Sequence, residues 1–176
     1  MFQARSVASV PTNMPVQASG ILALDGIMNP IIRQGLDYWQ RLRDDRPYPS
    51  REEVHPSDLR TLLRHVVLLR LVDDGADYEY RIVGDAHVQS HGFCMQGLRV
   101  SDVDRFSPGY GPVLKRLYDR AVRRREAFAF RGWLERGDQM KKYIYNESIF
   151  MPLGPNRIVI DHVLNFSVYM PRDSYS

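Results

Sequence analysis

Apolar residues along this chain recur first at helical spacing and then at strand spacing, and the change of period divides it into elements. Asn29-Pro30 opens the first one, since Asn caps a helix and Pro suits its first position. Ile32, Leu36, Trp39 and Leu42 follow at intervals of three and four, which predicts a helix with one apolar face ending near Arg43. Asp45-Arg-Pro-Tyr-Pro49 stops it. A shorter helix is predicted from Pro56 to Leu63, with Ser57 and Asp58 in its first turn. Residues 1–28 hold no sustained period and carry Pro11 and Pro15, so they read as a flexible tail.

From Val66 the period shortens. Val66–Val72 and Tyr78–Val83 predict a β-hairpin around Asp73-Asp74-Gly75. Gly92, Gly97 and Pro108 break the stretch from Gly84 to Ser107 into short helical or looped pieces. Tyr110 to Arg124 predicts a longer helix, with Val113, Leu114, Leu117, Tyr118 and Ala121 along one side. Strands at 127–134, 141–153 and 157–168 close the chain, turning at Gly137-Asp138 and Gly154-Pro-Asn156. The order predicts an α+β fold: a five-stranded antiparallel sheet with helices on one face, preceded by N-terminal helices. The expected divisions are a tail at 1–28, N-terminal helices at 29–64, a core domain at 65–170 and a second tail at 171–176.

Composition narrows the setting more than the chemistry. With 176 residues, 44% of them apolar and 26% charged, the chain suits one globular domain. Cys94 is the single cysteine, which excludes an internal disulfide and fits a reducing compartment. Met1 to Gly20 lacks the pattern of a signal peptide, and no apolar run is long enough to span a bilayer, so a cytoplasmic location is expected. The net charge of +3 is concentrated between Lys115 and Arg125, where six residues are Lys or Arg. Such a helix face attracts phosphates or acidic partners, or is simply solvated.

Several polar residues occupy positions where a reason is needed. Arg81 and Glu147 lie inside strand-like runs. Buried beneath the helices they would pair with each other or with a ligand; on an open sheet face they would be exposed and weakly paired. His87, His91 and Cys94 form H-x3-H-x2-C, a ligand-like spacing on a helix. Gly92 ends that helix before Cys94 and no fourth ligand is close in sequence, so no metal is predicted and haem is not expected. Strand alternation sends Asp161 and His162 to opposite sides, which rules out a dyad between them and leaves an inward His162 to bond a ligand, to titrate as a switch or to be satisfied by a backbone carbonyl. The same alternation groups Tyr78 with Tyr80, Phe128 with Phe130 and Tyr143 with Tyr145, and buried tyrosine hydroxyls need partners. The candidate ligand-binding residues are therefore Tyr80, Arg81, Tyr118, Asn146, Glu147 and His162. The chain has neither a phosphate-cradling glycine loop nor a G-x-S-x-G elbow, and it suggests no reaction.

Short motifs in a fixed order add a resemblance. Trp39 precedes Leu42-Arg43; Pro49-Ser-Arg51 leads to His55-Pro56; Leu59 stands before Leu62-Leu63. Tyr80-Arg81-Ile-Val-Gly84, Gly92, Gly97 and the run from Glu147 to Met151-Pro152-Leu153 complete the set. Together they resemble a bacterial PAS-like family common in alphaproteobacteria, over about residues 31–168. The resemblance implies a PAS fold and a sensing, docking or regulatory role, and it supplies no ligand or cofactor. The expected function is a stand-alone PAS-type module without an effector of its own. It would bind a small molecule between residues 85–110 and the sheet, dock onto a signalling protein, or do both. The alternative is a pure interaction or homodimerisation module with a filled core. In that case Ile32, Leu36 and Trp39 would dock or dimerise, or their helix would simply cover the sheet. Nucleic-acid binding through residues 115–125 ranks last, because aromatic and basic residues are not interleaved there.

Overall fold

Asn29 and Pro30 start a helix for the reason the sequence gives. In the computed structural model, which describes residues 20–135 and 143–170, Asn29 Oδ1 accepts the Ile31 N–H at 2.9 Å and α1 runs over Pro30–Arg43. The described helices continue with α2 (Pro56–Leu59), α3 (Asp85–His91) and α4 (Tyr110–Arg124). The strands are β1 (Gly20–Leu22), β2 (Val66–Val72), β3 (Asp77–Val83), β4 (Phe128–Glu135), β5 (Tyr143–Leu153) and β6 (His162–Met170). They form one sheet in the order β1-β4-β5-β6-β2-β3, with every neighbouring pair antiparallel.

The α+β class holds, and two features of it differ from expectation. The described sheet has six strands rather than five, because Gly20–Leu22 pairs with Ala129–Arg131. Residues 20–28 are thus part of the fold and not of a tail. Both faces of the sheet are covered. One carries Val66, Leu68, Ala129, Ile149, Met151, Leu164 and Phe166 beneath α1; the other carries Val67, Leu69, Tyr78, Tyr80, Phe128, Phe150 and Val163 beneath α4 and its neighbours. The reason lies in the central strands. Ile149-Phe-Met151 does not alternate with polar residues, so either face left open would expose apolar surface.

That second layer decides the role of the α1 stripe. Ile32, Leu36 and Trp39 are buried beneath their own sheet, and Trp39 Nε1 donates to the Pro152 carbonyl at 3.0 Å. They hold the helix down and present nothing to a partner, which corrects their reading as a dimer or docking surface. Gly35 permits the close approach: a Cβ there would come within 2.5 Å of Phe166 Cδ2.

Smaller differences have local causes. The second helix stops at Leu59 because Arg60 adopts φ 44°, and a 3₁₀ segment, Arg60–His65, continues to β2. The last strand starts at His162 instead of residue 157, since Asn156 Oδ1 accepts the N–H groups of Ile158 and Val159 and folds that stretch into a loop. Another 3₁₀ segment, Val100–Arg105, lies between α3 and α4, and residues 97–98 cover the β3 edge, where Tyr80 N–H donates to Leu98 O and Gly97 N–H to Tyr80 O. The turn expected at Gly137-Asp138 and the tails at 1–19 and 171–176 lie outside the described residues. No described helix is long and apolar enough to cross a membrane.

Candidate functional site

Alternation along β5 and β6 places Asn146, Ser148, Asn165, Ser167 and Tyr169 on the face that also holds Phe150 and Val163, turned toward α3 and α4. Two turns of α3 then place His87 and His91 on one side of that helix, over the same region. The result is a polar interior. Val67, Tyr80, His87, His91, Met95, Leu114, Tyr118, Phe150, Asn165, Ser167 and Tyr169 line a cavity of about 10 Å³, room for the centre of one water. Among the described residues, none that lines it is an acid, Lys or Arg.

The histidines are fixed by what surrounds them. His87 Nε2 faces the His65 carbonyl at 2.8 Å and must carry the hydrogen, so Nδ1 accepts from the Tyr169 hydroxyl at 2.8 Å. His87 is thereby held neutral. His91 has its nitrogens exchanged: Nδ1–H donates to the His87 carbonyl at 2.8 Å, and Nε2 lies 2.9 Å from the Tyr110 hydroxyl. Burial pushes the His87 imidazolium down to about 3, with the His65 carbonyl opposing that shift. Tyr80 and Tyr118 face each other at 3.4 Å, and burial raises the pKa of both hydroxyls above the usual tyrosine range. The pair has two hydroxyl hydrogens and one bond between them, so one hydrogen remains for another acceptor.

Beyond the histidines a ladder of small polar side chains crosses the two central strands. Asn165 Nδ2 donates to the Ile149 carbonyl at 2.8 Å, and its Oδ1 accepts from Ser167 Oγ at 3.2 Å. Ser167 accepts in turn from Ser148 Oγ at 2.7 Å, which uses the only hydrogen of Ser148. The 3.4 Å approach of Ser148 to the Asn146 amide is then best made with the amide nitrogen donating. Either orientation of that amide leaves one of its two polar atoms buried without a partner, and Asn146 has 0% exposure.

The structure divides the predicted residues. Tyr80 and Tyr118 line this interior, and Asn146 lies on the same face of the sheet, buried beside Ser148. Arg81 does neither: it is 51% exposed at the sheet edge and pairs with Glu79 at 2.5 Å. Glu147 is 1% exposed yet faces α1, because it is the next residue after Asn146. Its Oε2 accepts from Arg131 Nε at 2.9 Å and Nη2 at 2.7 Å; its Oε1 accepts the N–H groups of Met28 and Asn29 at 3.1 and 2.9 Å. This carboxylate ties the start of α1 to the sheet and holds no ligand. His162 bonds Asp161 at 2.8 Å, contrary to the rule applied to it, since Asp161 precedes the strand and alternation does not reach it. Cys94 is exposed while His87 and His91 are buried with all four ring nitrogens engaged, so the three do not converge as metal ligands.

Tyr110, Asn165, Ser167 and Tyr169 were not singled out from sequence. The signal of the three strand residues was present as Asn146-x-Ser148 and Asn165-x-Ser167-x-Tyr169, polar residues at period two inside apolar strands; Tyr110, at the start of α4, carried none.

Against known proteins, a family model described as a PAS domain matches residues 28–157. A solved light-oxygen-voltage domain, from work on a flavin analogue, is similar over 66% of this chain and 84% of its own, with 14% identity and a TM-score of 0.46. That likeness is loose and says nothing of what this chain binds. No curated protein matches the sequence.

Proposed function

The chain belongs to the PAS domain family, and from that premise we propose that it is a sensory or regulatory module whose input is a small, uncharged molecule taken up between α3, α4 and the sheet. One observation carries the reading: a polar interior beside which the buried Asn146 amide keeps one polar atom without a partner. A core serving only stability would fill this space with apolar side chains, since each unmatched polar atom costs about 1–3 kcal/mol. Neutrality of the ligand follows from the lining, whose described residues include no acid, Lys or Arg to offset the desolvation of a charge. Tyr80, Tyr118 and Asn146 are the side chains with hydrogen-bonding capacity to spare. Output would pass to another protein, and no reaction is assigned to the chain.

A second reading has its own support. A cavity of about 10 Å³ is nearly closed, as in a filled-core module that acts by surface contacts alone. Native mass spectrometry of freshly purified protein and a thermal-shift screen of small neutral compounds separate the two. Uptake predicts a bound mass or a stabilising compound, and loss of both in Asn146→Leu. A clean apo mass, with no compound raising the melting temperature, leaves the filled-core reading standing.

A further inference from the structure

The residues that make α4 basic are not used by the interior. Arg116, Arg120 and Arg124 recur every four residues along one stripe, with Arg123 beside it, over about 12 Å of helix. Among the described residues none of the four meets a carboxylate: Arg123 Nε reaches only the Asp119 carbonyl, and Arg120 lies over the Phe128 ring. The carboxylate available on this helix, Asp119, is taken by Lys115 and the Tyr78 hydroxyl. At the C-terminal end of the stripe, Arg125 Nη2 donates to the Ile158 carbonyl at 2.6 Å and brings the β5–β6 loop alongside. Ile158 there is 77% exposed, and Val159 beside it is also exposed. A row of unpaired guanidinium groups therefore ends in an exposed aliphatic pair.

We propose that this surface docks an acidic, amphipathic segment of another protein. Its carboxylates would meet Arg116, Arg123 and Arg124 while an apolar side chain covers Ile158 and Val159. Charge complementarity selects an anion. The apolar pair selects among anions, because a phosphate backbone gains nothing from an exposed isoleucine, whereas protein interfaces draw their affinity from buried apolar anchors. Exposed ion pairs alone are weak, so both halves of the patch are required.

The test uses the whole chain and a short fluorescent peptide with glutamates spaced three and four apart around leucines, followed by anisotropy. Saturable binding is expected, weakened about tenfold or more by Arg116→Glu with Arg124→Glu, and several-fold by Ile158→Ser. A control peptide with Gln for every Glu should lose binding. Circular dichroism should show all variants folded, since the substituted side chains are at the surface. Equal binding of the Gln peptide, no binding of the Glu peptide, or indifference to Ile158→Ser would overturn the proposal. So would a DNA or RNA oligonucleotide, or phosphatidylserine vesicles, that displaced the peptide and depended on the arginines but not on Ile158.

Discussion

Asn146 and Glu147 are adjacent in β5, equally buried, and treated in opposite ways by the fold. Glu147 faces α1 and receives two backbone N–H groups and both ends of the Arg131 fork. Asn146 faces α3 and α4 and has an atom with no partner. The α1 side is otherwise apolar and closely packed; the α4 side holds histidines, tyrosines, serines and asparagines. One face is thus built to stay closed and the other retains unmatched polarity. That asymmetry, more than any single residue, separates scaffold from site in this molecule.

The largest expected break is on the scaffold face. Arg131→Ala strands the Glu147 carboxylate in the interior and should cost about 3–5 kcal/mol in urea unfolding. A loss below about 1 kcal/mol would mean that the two backbone N–H groups suffice. Next is Gly35→Ala, which drives a methyl group into the Phe166 ring and should cost about 1–3 kcal/mol. An unchanged midpoint would show that α1 can shift without penalty.

Acid tests the other face. His87 titrates near its ordinary value of 6.5 when unfolded and at about 3 when folded, so between those values the unfolded chain holds the extra proton. Stability should fall as pH drops through that window, by up to about 1.4 kcal/mol per pH unit. Glu53, whose bond to Arg46 holds it down to about 2, adds its own loss only below the usual carboxylate range near 4.5. Unfolding at pH 6.5 and 5 therefore excludes Glu53, and His87→Phe should reduce the slope there. A slope that survives the substitution assigns the proton elsewhere.

The last two effects are small. Asn146→Leu removes an unsatisfied amide and should leave stability unchanged or raise it by about 1 kcal/mol; a loss above about 2 kcal/mol would show that the amide has a partner. Arg81→Leu should stay within about 0.5 kcal/mol, since its side chain is in solvent. A strong loss would restore the buried reading of Arg81.

Much of this was legible in the sequence, and the limits have physical causes. The helix at Asn29-Pro30, the hairpin at Asp73-Asp74-Gly75 and α4 follow from local rules of capping, turn chemistry and period, and they stand where expected. β1 was not legible, because three residues of edge strand carry no period and depend on β4, over a hundred residues away. The candidate site was read in part. Tyr80 and Asn146 come to this interior from strands and Tyr118 from the apolar side of α4, so local period places each on a face but only the fold brings the three faces together. Glu147 was misplaced because period two gives relative faces and cannot say which face a given helix covers. Its partner Arg131 needed the β4–β5 register, which only the fold supplies.

The Glu147 anchor also orders events in time. Its oxygens cap N–H groups 119 and 118 positions earlier in the chain. During synthesis, α1 leaves the ribosome well before the carboxylate that secures it exists. Ile32, Leu36 and Trp39 are unsheltered through that interval, because the strands that cover them, β5 and β6, are made last. The N-terminal layer is therefore the last part of the scaffold face to become safe from aggregation, and shielding it during translation falls to the cell rather than to the chain itself.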